Sequence, residues 1–312
     1  MTVAEAAGTG ARPAGKTAHA RRMRLATYAS IAVAATLIIT KFFIWRITGS
    51  VALLSSLLDS ALDVMASLIN AFAVHQALQP ADREHRFGHG KAEALAALAQ
   101  AVIVGGSAIF LILEAGNRLV HPKFIENGGW GIAVMALSLV LSIVLVRFQR
   151  KVVRETGSLA VSADAAHYAT DTVINVGVLV GLALMTFLGW SLLDPLIAIA
   201  VSFYLIATAL KVARAAFDML MDREFGDDVR KTIRDTVLAH PEVKAMHDLR
   251  TRSSGIHSFI QFHLEMDPKL TLEEAHRISD EVERSLYVKF PHAEVLIHED
   301  PAGMGENRPS FA

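Results

Sequence analysis

A bundle of six membrane-spanning helices followed by a small soluble α+β domain is the fold class that this 312-residue sequence predicts. Three observations carry the prediction. The chain is 53% hydrophobic with a mean hydropathy of +0.39, well above an ordinary soluble protein. Its apolar residues crowd into 25–220, where six segments each reach the roughly 20 residues that cross a bilayer as a helix. From residue 222 onward the chain instead has the charge density and alternating patterns of a globular domain.

Taken in order, residues 1–24 are small, polar and basic (Arg12, Lys16, Arg21, Arg22, Arg24) and lack the apolar core and cleavage signal of a secretory peptide. They predict a disordered cytoplasmic tail. The membrane domain, 25–221, divides into spans near 25–47, 51–78, 92–118, 129–149, 158–187 and 192–220. The soluble domain runs over 222–300, and 301–312 predicts a flexible C-terminal tail. Lys41 lies near the end of the first span and is expected to snorkel.

The connections set an orientation. "TGS" at 48–50 and "GWS" at 189–191 are minimal uncharged turns, whereas the N-terminal tail, the 80–91 loop and "RFQRKVVR" at 147–154 are basic. Basic connections face the cytoplasm, which puts both termini and the soluble domain inside. The chain has no cysteine, so disulfides, thiolate metal sites and cysteine nucleophiles are all excluded. A net charge of −1 offers nothing to nucleic acid.

Spans two and five carry charge at mid-depth, where a carboxylate costs a few kcal/mol or more (about 2.5–3.5 on insertion scales). "SSLLDSALDVMAS" places Asp59 and Asp63 four residues apart, hence on one helix face. "ADAAHYATD" places His167 and Asp171 likewise on span five. Three carboxylates and one imidazole from two helices form a four-ligand N/O set suited to a divalent cation, Zn²⁺ first. The alternatives are a protonated carboxylate or a basic partner on another helix. However, the cores of spans three, four and six hold no Lys or Arg. Asp164, one turn before His167, is a neighbouring carboxylate left outside the ligand set.

These paired motifs, the six spans and the short tail domain resemble the cation diffusion facilitators, in particular their bacterial zinc and ferrous-iron efflux branch. "QPADREHRFGHGKAEALAALAQ" (79–100) and "HDLRTRSSG" (247–255) are both very similar to that branch. Alone, a loop with two histidines is more often just a polar loop. The resemblance implies a second metal site there, at Asp82, His85 and His89.

The tail reads helix, strand, strand, helix, strand: 228–240 and 271–290 are amphipathic, while 245–252, 256–266 and 293–300 alternate. That order suggests a ferredoxin-like domain. Seven of the thirteen histidines follow residue 239, and the segment from 222 on holds 18 Asp and Glu against 12 Lys and Arg, a local bias toward cations. The resemblance implies a pair of metal ions at His247, His263, His276, His298 and Asp300, near the interface of a homodimer. His240, His257 and His292 have no such match.

The function so predicted is a divalent metal/proton antiporter in the bacterial inner membrane, carrying Zn²⁺ or else Fe²⁺, Mn²⁺ or Cd²⁺. No G-x4-G-K-[ST] motif supplies ATP. An intramembrane metalloenzyme would need a general base, and H-E-x-x-H is absent. A membrane-tethered metal sensor signalling through its tail fits the histidines there but has no use for a ligand set at bilayer depth.

Overall fold

The structure, a computed structural model, describes residues 14–48, 51–120, 129–188 and 193–303; some helix side chains within them, that of Asp59 included, lie outside the description. The chain divides at Phe217/Asp218 into two compact units, each taken here by itself.

The first unit is built from α1 (Ala14–Thr48), α2 (Val51–Ala77), α3 (Ala92–Val120), α4 (Gly129–Thr156), α5 (Leu159–Leu188) and α6 (Leu193–Leu220). α1, α3, α4 and α6 each contain 24–30 residues long and apolar enough to cross a membrane. α2 and α5 match them in length, at 27 and 30 residues, but their described parts are less apolar because they carry Asp63 and Asp164, His167 and Asp171. Outward-facing Phe72, Val102, Phe110, Phe203 and Leu210 give the bundle an apolar exterior suited to lipid.

Two boundaries differ from prediction. α1 begins at Ala14, so the latter part of the supposedly disordered 1–24 segment is helical. Its Ala, Lys and Arg residues are strong helix formers, Met23 is fully buried, and Arg22 pairs with Glu155 of α4. α4 runs on to Thr156, so the basic stretch 147–154 is helix, not connection. It stops at Gly157, whose φ of +67° lets its N–H reach Val153 O at 2.8 Å in a left-handed cap.

α1 packs on α2 and α4, α5 packs on α3 and α4, and α2 meets both α3 and α5. Leu205 and Ala209 of α6 pack with Val104 and Ala108 of α3. Lys41 does not snorkel. It is buried, and its ammonium donates to Ser60 of α2 at 2.7 Å, because the α1/α2 contact offers a hydroxyl where lipid offers none.

The second unit is α7 (Asp227–Leu238), β1 (Ala245–Ser254), β2 (His257–Met266), α8 (Leu272–Lys289) and β3 (Ala293–Pro301). Its sheet has the order β1-β2-β3, with β1/β2 antiparallel and β2/β3 parallel. The αββαβ order matches the prediction; it is a ferredoxin-like arrangement without a leading strand among the described residues. Ile260, Phe262, Leu264 and Met266 of β2 pack against Ile233 and Val237 of α7 and Ile278, Val282 and Leu286 of α8. Each fully buried Ile, Leu or Phe contributes about 1.5–3 kcal/mol. The intervening residues Gln261, His263 and Glu265 therefore point to the opposite, helix-free face.

Candidate metal centres

In the membrane unit, α2 and α5 bring Asp63, His167 and Asp171 together, each with a ligand atom within 4.8 Å of the others. His167 Nε2 lies 3.1 Å from Asp63 Oδ1 and 3.8 Å from Asp171 Oδ2. The imidazole is buried against the ring of Tyr168 while the two carboxylates are half-buried. Asp59 stands one turn before Asp63 on α2; its side chain is outside the described residues.

Between α2 and α3, Asp82 Oδ1 accepts from the N–H of His85 at 2.6 Å and of Glu84 at 2.9 Å, folding the loop back on itself. These bonds, the one from His85 foremost, hold the Asp82 carboxyl below the usual carboxylate range. His85 Nδ1 and His89 Nε2 each lie 3.4 Å from an Asp82 oxygen. The His89 Nδ1 atom is buried without a hydrogen-bond partner among the described residues. Two imidazoles and one carboxylate fit a borderline divalent cation such as Zn²⁺.

On the open face of the tail sheet, β-pairing sets His247, His263 and His298 in one row across the three strands. His263 Nδ1 is 2.5 Å and His247 Nε2 3.6 Å from Asp300 Oδ2, while His298 Nε2 is 3.3 Å from Asp300 Oδ1. One carboxylate thus presents each oxygen to a different imidazole, a donor arrangement able to bridge two cations. A β-bulge between His247 and Arg250, with Asp248 at φ +48°, turns β1 so that Leu249 faces the core and His247 the cluster. A cleft of about 320 Å³ opens beside His263 and His298. His276 is not in this group. It sits exposed on α8, 3.9 Å from Asp280, because α8 covers the other face of the sheet.

Residues 27–221 match the cation efflux transmembrane domain, and residues 226–302 match the cytoplasmic domain of cation efflux proteins. The chain belongs to the cation diffusion facilitator family. The cation-efflux pump FieF of Serratia proteamaculans is 46% identical over 92% of this chain and 95% of its own length. FieF of Klebsiella pneumoniae is 44% identical with the same coverage. The solved metal-bound C-terminal domain of the CzcD transporter from Thermotoga maritima is 26% identical, covers 26% of this chain and all of its own, and gives a TM-score of 0.24.

In this cation diffusion facilitator, the neighbouring carboxylate Asp164 is held beside the membrane cluster by polar residues that the sequence did not single out, Ser30 and Gln149. Asp164 does not hydrogen-bond His167. Its Oδ2 accepts from Ser30 of α1 at 2.5 Å and from Gln149 of α4 at 2.6 Å. Tyr168 reaches the backbone oxygen of the same Ser30 at 3.2 Å and the hydroxyl of Ser67 on α2 at 3.0 Å. Asp164 and Tyr168, four apart, thus dock one face of α5, and His167 and Asp171 sit one step around the helix from it.

Proposed function

We propose that this facilitator exports a divalent transition-metal cation from the cytoplasm in exchange for protons. Zn²⁺ is the foremost cargo, with Fe²⁺, Mn²⁺ and Cd²⁺ as the others an oxygen-rich set accepts. The observation that carries the reading is the meeting of Asp63, His167 and Asp171 between two membrane helices, with Asp59 one turn away on α2. The cation-efflux pumps that share most of its length support the outward direction.

These groups bind metal only when deprotonated, so loading at the cytoplasmic side releases protons, and protons arriving from outside displace the cation. A histidine exchanges its proton in the physiological range, which lets a pH gradient drive the cycle without ATP. The basic segments that end or flank the spans support an orientation with both termini in the cytoplasm of a bacterial inner membrane. The tail domain is read as the homodimer contact, and the Asp82–His85–His89 and His247–His263–His298–Asp300 clusters as holders of resident cations.

The test is equilibrium Zn²⁺ titration of the purified protein in weakly buffered solution, with released protons followed by indicator dye. Metal binding should release protons, and Asp63→Ala or His167→Ala should remove one binding component and its protons together. Unchanged titrations in both variants would sink the assignment.

A further inference from the structure

We infer that Glu93 is a positioning residue through which the loop cluster sets the membrane cluster. The inference rests on the reading of both clusters as cation sites, and it adds a physical link between them.

Glu93 lies in the first turn of α3 and is 1% exposed. An isolated buried carboxylate is costly, and this one is bound to the start of α5. Its Oε2 accepts from Ser158 Oγ at 2.6 Å and from the Ala160 N–H at 3.3 Å. Ser158 in turn caps α5, its hydroxyl oxygen accepting from the Val161 N–H at 3.3 Å. A negative group at the N-terminus of α5 also faces the positive end of that helix. α3 therefore holds α5 by its first turn, on the helix that carries His167 and Asp171.

The other end of the link is the loop. The carbonyl of His89 accepts from Ala92 N at 2.9 Å and that of Gly90 from Glu93 N at 3.2 Å, so the chain winds from His89 into the turn bearing Glu93. A cation drawing Asp82, His85 and His89 together fixes the backbone only four residues before Glu93. The first turn of α3 is then fixed too, and with it the capped end of α5. A rigid helix transmits that placement to His167, while Asp164 and Tyr168 limit its rotation. Loop occupancy consequently changes the affinity of the membrane cluster, and linkage makes the effect reciprocal.

The test is Zn²⁺ titration of the full-length protein, with the membrane component identified as the part lost on Asp63→Ala. Replacing His85 and His89 together by Ala should weaken that component by about fivefold or more. In a Glu93→Ala background the same loop substitutions should shift it less than about twofold. Glu93→Gln, which keeps an oxygen for Ser158, should restore most of the coupling. Ser158→Ala supplies a second break that leaves α3 intact if Glu93→Ala does not fold. Amide exchange in 159–165 should slow with loop metal in the parent chain but not in Glu93→Ala. An undiminished shift in both Glu93→Ala and Ser158→Ala overturns the inference, as does no shift in the parent chain with its membrane component intact. Loss of the Asp63-dependent component from the parent chain itself would instead overturn the functional reading, and the inference with it.

Discussion

At the residue scale, donors became legible wherever chemistry and spacing coincided. Asp63 announces itself because a carboxylate amid apolar neighbours demands a cation or a proton, and His167 and Asp171 repeat the four-residue spacing. Glu93, Ser30 and Gln149 gave no such signal. A Glu in a first helical turn is ordinary capping chemistry, and Ser30 and Gln149 reach Asp164 from two other helices, 134 and 15 residues away along the chain. The placement of His276 was equally hidden: helix periodicity does not say which sheet face the helix covers. Asp248 is a further case, since alternation cannot reveal a bulge. Its left-handed backbone predicts that Asp248→Val destabilises the tail domain by about 1–2 kcal/mol, whereas Asp248→Gly does not. Thermal melting of the two variants followed by circular dichroism checks this.

Elements were easier to read than their ends. All six long helices followed from the length of their apolar segments and the αββαβ order from periodicity, but α1 and α4 overran their apolar segments. Basic and Ala-rich sequence is as good for helix as for loop, so hydropathy marks where lipid ends and not where the helix does. α8 shows the opposite, a helix start written locally. Thr271 accepts from the Glu274 N–H while Glu274 accepts from the Thr271 N–H, a complete capping box. The bond from the Thr271 backbone, then that from its hydroxyl, lowers the Glu274 carboxyl from its ordinary value; bonds from His240 and then Arg277 do the same for Glu281. Groups lowered on folding stabilise above their unfolded value, and that contribution fades as pH falls through the lower folded one. The protection factors of the amides across 272–275, which correct for the intrinsic pH dependence of exchange, should therefore fall on acidification below the ordinary glutamate range, about pH 4.3. In Glu274→Ala that protection should already be lower at pH 7 and respond less to acid.

On the scale of the whole molecule, three donor clusters among the described residues share one chemistry in three settings. The loop cluster is the most exposed, while the tail cluster on its sheet face and the membrane cluster between α2 and α5 each set a buried histidine beside half-buried donors. Of the three, the cluster between α2 and α5 alone stands on helices of a membrane bundle, which is why transport is assigned to it and resident binding to the others. Exposed donors exchange ions with solvent at little cost, whereas carboxylates inside a bilayer need a cation or proton at every stage of a cycle. Exchange of metal for protons meets that requirement. The most direct measurement is uptake of Zn²⁺, Fe²⁺, Mn²⁺ and Cd²⁺ into proteoliposomes under an imposed pH gradient, with internal pH recorded at the same time. The account predicts gradient-dependent metal flux with proton movement in the opposite direction, both lost in Asp63→Ala. Flux that persists in that variant, or metal binding without flux of any of the four cations, would contradict it.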